Sequence, residues 1–123
     1  MEKILLLCLG GSAGTLCRYS LSVALQQWLG HAFPYGTLAV NLLGCFLIGV
    51  VASHLRTLPP AVNLQLLLVT GFLGGFTTFS AFSYEALLLF REGHLPKALL
   101  YIFASVLLGL LAAWLGTRMI RPV

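Results

Sequence analysis

The chain has 123 residues, room for one domain, of which 59% are hydrophobic and 8% charged. A water-soluble domain carries about a quarter charged residues, so this composition excludes a dispersed globular protein and makes lipid the natural solvent. The net charge of +4 comes without a basic patch interleaved with aromatics, which argues against a nucleic-acid surface and for contact with anionic headgroups.

The first predicted element is an apolar run from Ile4 to about Leu29. Met1-Glu2-Lys3 followed by Ile4 imitates a signal peptide, but the apolar character outlasts a signal h-region and no small-x-small cleavage site follows. Leu7 stands before Cys8 where a lipoprotein would carry a small residue. The run is therefore read as a retained first helix. Gly10 and Gly14 are spaced as a small-xxx-small packing face. Arg18 is an ionised group near one end of the run; it either snorkels to the interface or faces protein or water.

After a turn at 31–35 containing Pro34, the second run spans Gly36 to Leu55. Thr37, Asn41, Gly44 and Ile48 fall on one helical face. Asn41 offers two N–H donors and an acceptor. These serve either an interhelical hydrogen bond or, with Thr37, a polar track.

The third run, Leu64 to Phe90, is the most informative. Its centre reads Gly71-Phe72-Leu73-Gly74-Gly75-Phe76-Thr77-Thr78-Phe79-Ser80-Ala81-Phe82. Paired glycines and paired threonines are poor helix formers, so an interruption is predicted near Gly74 to Thr78. Irregular backbone at membrane depth survives only where protein or water covers it. It frees carbonyls for cations and N–H groups for anions. Phe79 and Phe82 lie three apart on one face, as lipid-facing or core residues or as rings presenting their positive edges to an anion. Ser80 and Ser83 add hydroxyls, and Glu85 is the only acid inside a predicted span, at a vestibule or near the interface.

The fourth run spans Ala98 to Gly116, with Tyr101, Ser105, Gly109, Ala112 and Gly116 on one stripe. Each run is near or above the roughly 20 residues a spanning helix requires. The alternation of a membrane barrel is absent. The expectation is an all-α, four-helix, single-domain membrane protein whose short loops make neighbouring helices antiparallel. One side carries Lys3, Arg56, Arg118 and Arg121; the other carries Arg91 and Lys97, with Arg18 towards it. That bias is small, so insertion both ways up is compatible with the positive-inside rule, as is a single orientation with the termini inside. Four helices leave little room for an aqueous path, which favours a second subunit.

No paired carboxylates, Ser/His/Asp set or phosphate loop occurs, and the chain does not read as an enzyme. Cys8, Cys17 and Cys45 are read as free thiols packed as small hydrophobes within the apolar runs, and His31, His54 and His94 as interface residues.

Taken together, Gly10-Gly11-Ser12-Ala13-Gly14 with Arg18-Tyr19, Gly36 to Asn41, and Gly71 to Phe82 resemble the motifs of the small fluoride channels known as Fluc or CrcB proteins. The resemblance implies passive fluoride export across a microbial inner membrane by an antiparallel, dual-topology homodimer with two pores. It implies that Asn41, Phe79, Phe82, Ser80, Tyr101 and Thr37 line the anion path, with Arg18 and Glu85 near a vestibule. It also implies a structural sodium ion at the dimer interface, held by the backbone carbonyls of Gly74 and Thr77. Ala81 stands where many members carry Thr, and Gly109 where some carry a hydroxyl. The alternatives are a small multidrug-type exporter, which relies on an acid in its first helix where this chain has Arg18, and a non-transporting membrane scaffold.

Overall fold

The structure is a computed structural model that describes residues 1–120; Arg121, one of the flanking cations counted above, lies outside them. The described chain is all-helical, with no strand. Its elements are α1 (Glu2–Leu29), α2 (Tyr35–Arg56), α3 (62–76), α4 (Phe79–Arg91) and α5 (Leu95–Met119). They make four spans long and apolar enough to cross a membrane, with α3 and α4 together forming the third, Val62–Arg91. At 1.5 Å per residue even α2 reaches about 33 Å, against a hydrocarbon core of about 30 Å.

Local chemistry sets the boundaries. Gly30 ends α1 at φ 84°, a left-handed conformation open to glycine. Gly93 ends α4 at φ 78°. Around it His94 N–H donates to Leu89 O over 2.9 Å and Gly93 N–H to Phe90 O over 3.1 Å, the paired bonds of a Schellman cap. Pro96 then sits in the first turn of α5, where its missing N–H costs nothing.

The third span is not one regular helix. Residues Leu66–Leu73 wind as a π-helix, a wider coil that is rare and concentrated at functional sites. Residues Gly74–Phe76 return to α-helical geometry. Thr77 (φ −83°, ψ 155°) and Thr78 (φ −149°, ψ 112°) are extended, and α4 starts at Phe79. The irregular backbone expected over 74–78 is thus extended at its last two residues only. Gly74–Phe76 stay helical, with Phe76 3% exposed and Gly75 seated against Gly11 O. The π-helical stretch upstream was not foreseen.

Glycines set how closely the spans approach. A Cβ on Gly10 would collide with Leu67 O, and one on Gly14 with Phe72 O, so α1 lies directly on the backbone of α3. Between α2 and α5, Gly49 faces Ala113 O and Gly116 faces Phe46 O in the same way. In lipid, where tails are as apolar as side chains, such close backbone packing is the main adhesive between helices. A second, side-chain core lies where α4 meets α5, built from Ala86, Leu89, Ala98 and Tyr101 with Phe33, Leu38, Phe82 and Ile102 around them.

Candidate functional site

The extended pair at the middle of the third span turns a peptide unit sideways, and a side chain of α2 meets it. Asn41 Nδ2 donates to Thr78 O over 3.1 Å, and Thr78 N–H donates to Asn41 Oδ1 over 2.9 Å. Two bonds thus join α2 to Thr78 in a ring. The Thr78 hydroxyl caps α4 by accepting from Ala81 N–H over 3.2 Å, the usual way a threonine satisfies an orphan amide at a helix start. Ser80 Oγ lies 3.3 Å from the same hydroxyl. Thr77 Oγ1 turns back to donate to Leu73 O over 2.9 Å.

This junction forms the wall of a cavity of about 440 Å³ lined by Asn41, Gly44, Cys45, Gly74, Thr77, Thr78, Phe79, Phe82 and Ser105 among others, with no charged side chain. The Phe79 and Phe82 ring centroids are 5.5 Å apart, and Phe82 is 5.2 Å from Tyr101. Ser105 Oγ is buried without a hydrogen-bond partner among the described residues. A hydroxyl in that state is a donor waiting for an acceptor, since burying it unpaired is costly. Phe79 is 80% exposed.

Behind Phe82 lies a second polar group. Glu85 Oε1 accepts from Thr37 Oγ1 and Glu85 Oε2 from Tyr101 OH, each over 2.7 Å. Tyr101 is fully buried and Thr37 6% exposed. Glu85 also borders a cavity of about 380 Å³ with Gln26, His31, Glu92, His94 and Lys97. The carboxylate therefore stands between a recess lined with charged side chains and the uncharged cavity beyond Phe82.

Of the residues singled out from the sequence, Asn41, Gly74, Thr77, Phe79 and Phe82 converge on the first cavity. Thr37 and Tyr101 gather instead around Glu85. Ser80 is exposed beside Thr78, and Arg18, half-buried on α1, lines neither cavity. Thr78 was anticipated only as irregular backbone, and Ser105 only as part of a packing stripe. Their signal was the polar character of residues embedded in apolar runs.

Residues 5–117 match the family described as CrcB-like protein, Camphor Resistance (CrcB). The chain belongs to the CrcB-like family. Among the relatives of this CrcB-like chain is a protein of Rhizobium etli, 48% identical, covering 100% of this chain and 99% of its own length. A Thermus thermophilus relative is 49% identical over 97% of this chain and 95% of its own length. One from Citrifermentans bemidjiense is 43% identical over the whole of both. Each of the three is named fluoride-specific ion channel FluC.

For a CrcB-like protein the two departures have distinct settings. Ala81 lies in the capped first turn of α4, where Thr78 Oγ1 accepts from its amide. Gly109 is buried, and a Cβ there would meet only Cys45 Sγ, at 3.4 Å. Among the described residues no cluster of three His, Cys, Asp or Glu side chains can hold a metal ion. The oxygens suited to a cation at the Thr77–Thr78 junction are backbone carbonyls, ligands that hard cations accept.

Proposed function

We infer that this CrcB-like chain is a subunit of a fluoride-selective channel, a multi-pass protein of the cell inner membrane that exports fluoride passively and so confers resistance to it. The observation that carries the reading is an uncharged cavity of amide, hydroxyl and phenyl groups at the midpoint of the third span, in a chain whose full-length relatives are named fluoride-specific ion channels.

Fluoride is small and strongly hydrated, so a pore must replace its water with several well-placed donors while holding it weakly enough for release. Ring edges of Phe79 and Phe82, the Asn41 amide and the Ser80 hydroxyl offer partial positive charge without a fixed cation. The path continues past Tyr101 and Thr37. Glu85 stands at the vestibule. Because Tyr101 and Thr37 both donate to Glu85, they diminish the repulsion the carboxylate would exert on an approaching anion.

The functional unit is an antiparallel, dual-topology homodimer in which the extended pair Thr77-Thr78 divides the third span. Two features support this. The cavity is open on one side, with Phe79 mostly uncovered. The carbonyls of Gly74 and Thr77 amount to two oxygens, too few for a hard cation, and a second copy related by a two-fold axis would double them. Those carbonyls would hold a structural sodium ion, whose charge would pin the two interrupted spans together.

The decisive experiment is efflux from liposomes holding purified protein, driven by a potassium gradient with valinomycin. Fluoride efflux without chloride efflux is expected. Proton-driven uptake of a cationic dye would instead identify a multidrug-type exporter, and absence of any flux from well-reconstituted protein would identify a scaffold.

A further inference from the structure

An unbroken α-helix through the third span would bond Thr78 N–H to Gly74 O and Ala81 N–H to Thr77 O, each amide reaching four residues back. Neither amide does so. Thr78 N–H donates to Asn41 Oδ1 over 2.9 Å, and Ala81 N–H donates to Thr78 Oγ1 over 3.2 Å. The Gly74 and Thr77 carbonyls are among the four, 74–77, left without their helical donors, and of the others Gly75 O accepts from Thr15 Oγ1 over 3.5 Å. The Thr78 carbonyl is meanwhile engaged by Asn41 Nδ2 over 3.1 Å, which removes it from competition as a free ligand.

We propose that Asn41 and Thr78 are positioning residues for the cation site: their side chains capture the amides of Thr78 and Ala81 and thereby leave the Gly74 and Thr77 carbonyls available to a sodium ion. This rests on the sodium reading above and deepens it. Asn41 is thus a backbone surrogate first. Its Oδ1 and one Nδ2 hydrogen are committed to Thr78, and one hydrogen of its amide remains for an ion. Buried amides and carbonyls are nearly always paired, so removal of either side chain drives the chain towards the helical bonds that close the two carbonyls. The geometry also explains why adjacent threonines occupy 77–78. Extended backbone suits a β-branched residue, and the second hydroxyl is placed to cap α4.

The test uses the full-length protein purified in detergent, with sodium chloride titrated at constant ionic strength against N-methyl-glucamine chloride. The readouts are the unfolding midpoint and hydrogen exchange of the 77–82 segment. An ion that binds the folded protein raises the midpoint in proportion to its saturation. Wild-type protein and Thr78→Ser, which keeps the hydroxyl, are expected to respond to sodium alike. Asn41→Leu and Thr78→Val should need at least tenfold more sodium for the same response, and sodium should no longer slow exchange at 77–82. Equal sodium responses in wild type, Asn41→Leu and Thr78→Val would overturn the positioning role while leaving the sodium site intact. No sodium response in the wild type would overturn both. If Asn41→Leu fails to give a monodisperse protein, the comparison of Thr78→Val with Thr78→Ser decides alone.

Discussion

Tyr101 donates a 2.7 Å hydrogen bond to Glu85 while its ring lies 5.2 Å from Phe82, so one side chain touches both the acidic and the aromatic parts of the site. Thr37 completes the set from the other side. A single carboxylate thereby ties α2, α4 and α5 together at the inner end of the charged recess.

Replacing Tyr101 with Phe keeps the ring and removes the donor. One oxygen of a part-buried carboxylate then lacks its partner, a loss of about 1–3 kcal/mol. Tyr101→Phe should lower the unfolding midpoint in detergent and reduce fluoride efflux several-fold. Unchanged flux would take the Tyr101 hydroxyl off the ion path.

Phe82 shares its ring contacts with Phe79 and Tyr101. Isoleucine retains apolar bulk but has no positive edge. Phe82→Ile should cut fluoride flux by about tenfold or more, the equivalent of about 1.4 kcal/mol at the barrier, while the protein still elutes at its normal size. Wild-type flux would reduce Phe82 to a packing residue.

Asn41→Asp retains an acceptor for Thr78 N–H but sets a carboxylate oxygen against Thr78 O, where the amide now donates. It also places negative charge in a cavity that has none. Fluoride efflux should fall sharply. Efflux equal to wild type would show that the anion does not pass this side chain.

Two glycines provide a matched pair. A methyl at Gly44 would run into Thr77 Cγ2, whereas at Gly109 its nearest neighbour is Cys45 Sγ at 3.4 Å. Gly44→Ala should cost about 1–3 kcal/mol through overpacking and disturb conduction by moving Thr77. Gly109→Ala should be neutral or stabilise by up to about 1 kcal/mol, because alanine favours a helix interior and its methyl meets only an ordinary contact. Thermal unfolding of the two variants side by side checks both.

The four spans could be read directly from the chain because run length and hydrophobicity are local properties, and bilayer thickness converts them into helices. The poor helix formers Gly74, Gly75, Thr77 and Thr78 marked the irregular region for the same reason: backbone preference belongs to the residue itself. Folding decided which of them would leave the helix. The π-helical stretch Leu66–Leu73 lies in a uniformly apolar run, which has no polar face to report how the coil is wound. The hydrogen-bond partners were also out of reach. Asn41 finds Thr78 across 37 residues, and Glu85 finds Thr37 across 48 and Tyr101 across 16. Each of these polar side chains had several admissible partners in the sequence. Only the close approach of helices on glycine surfaces, a matter of three-dimensional packing, selected one.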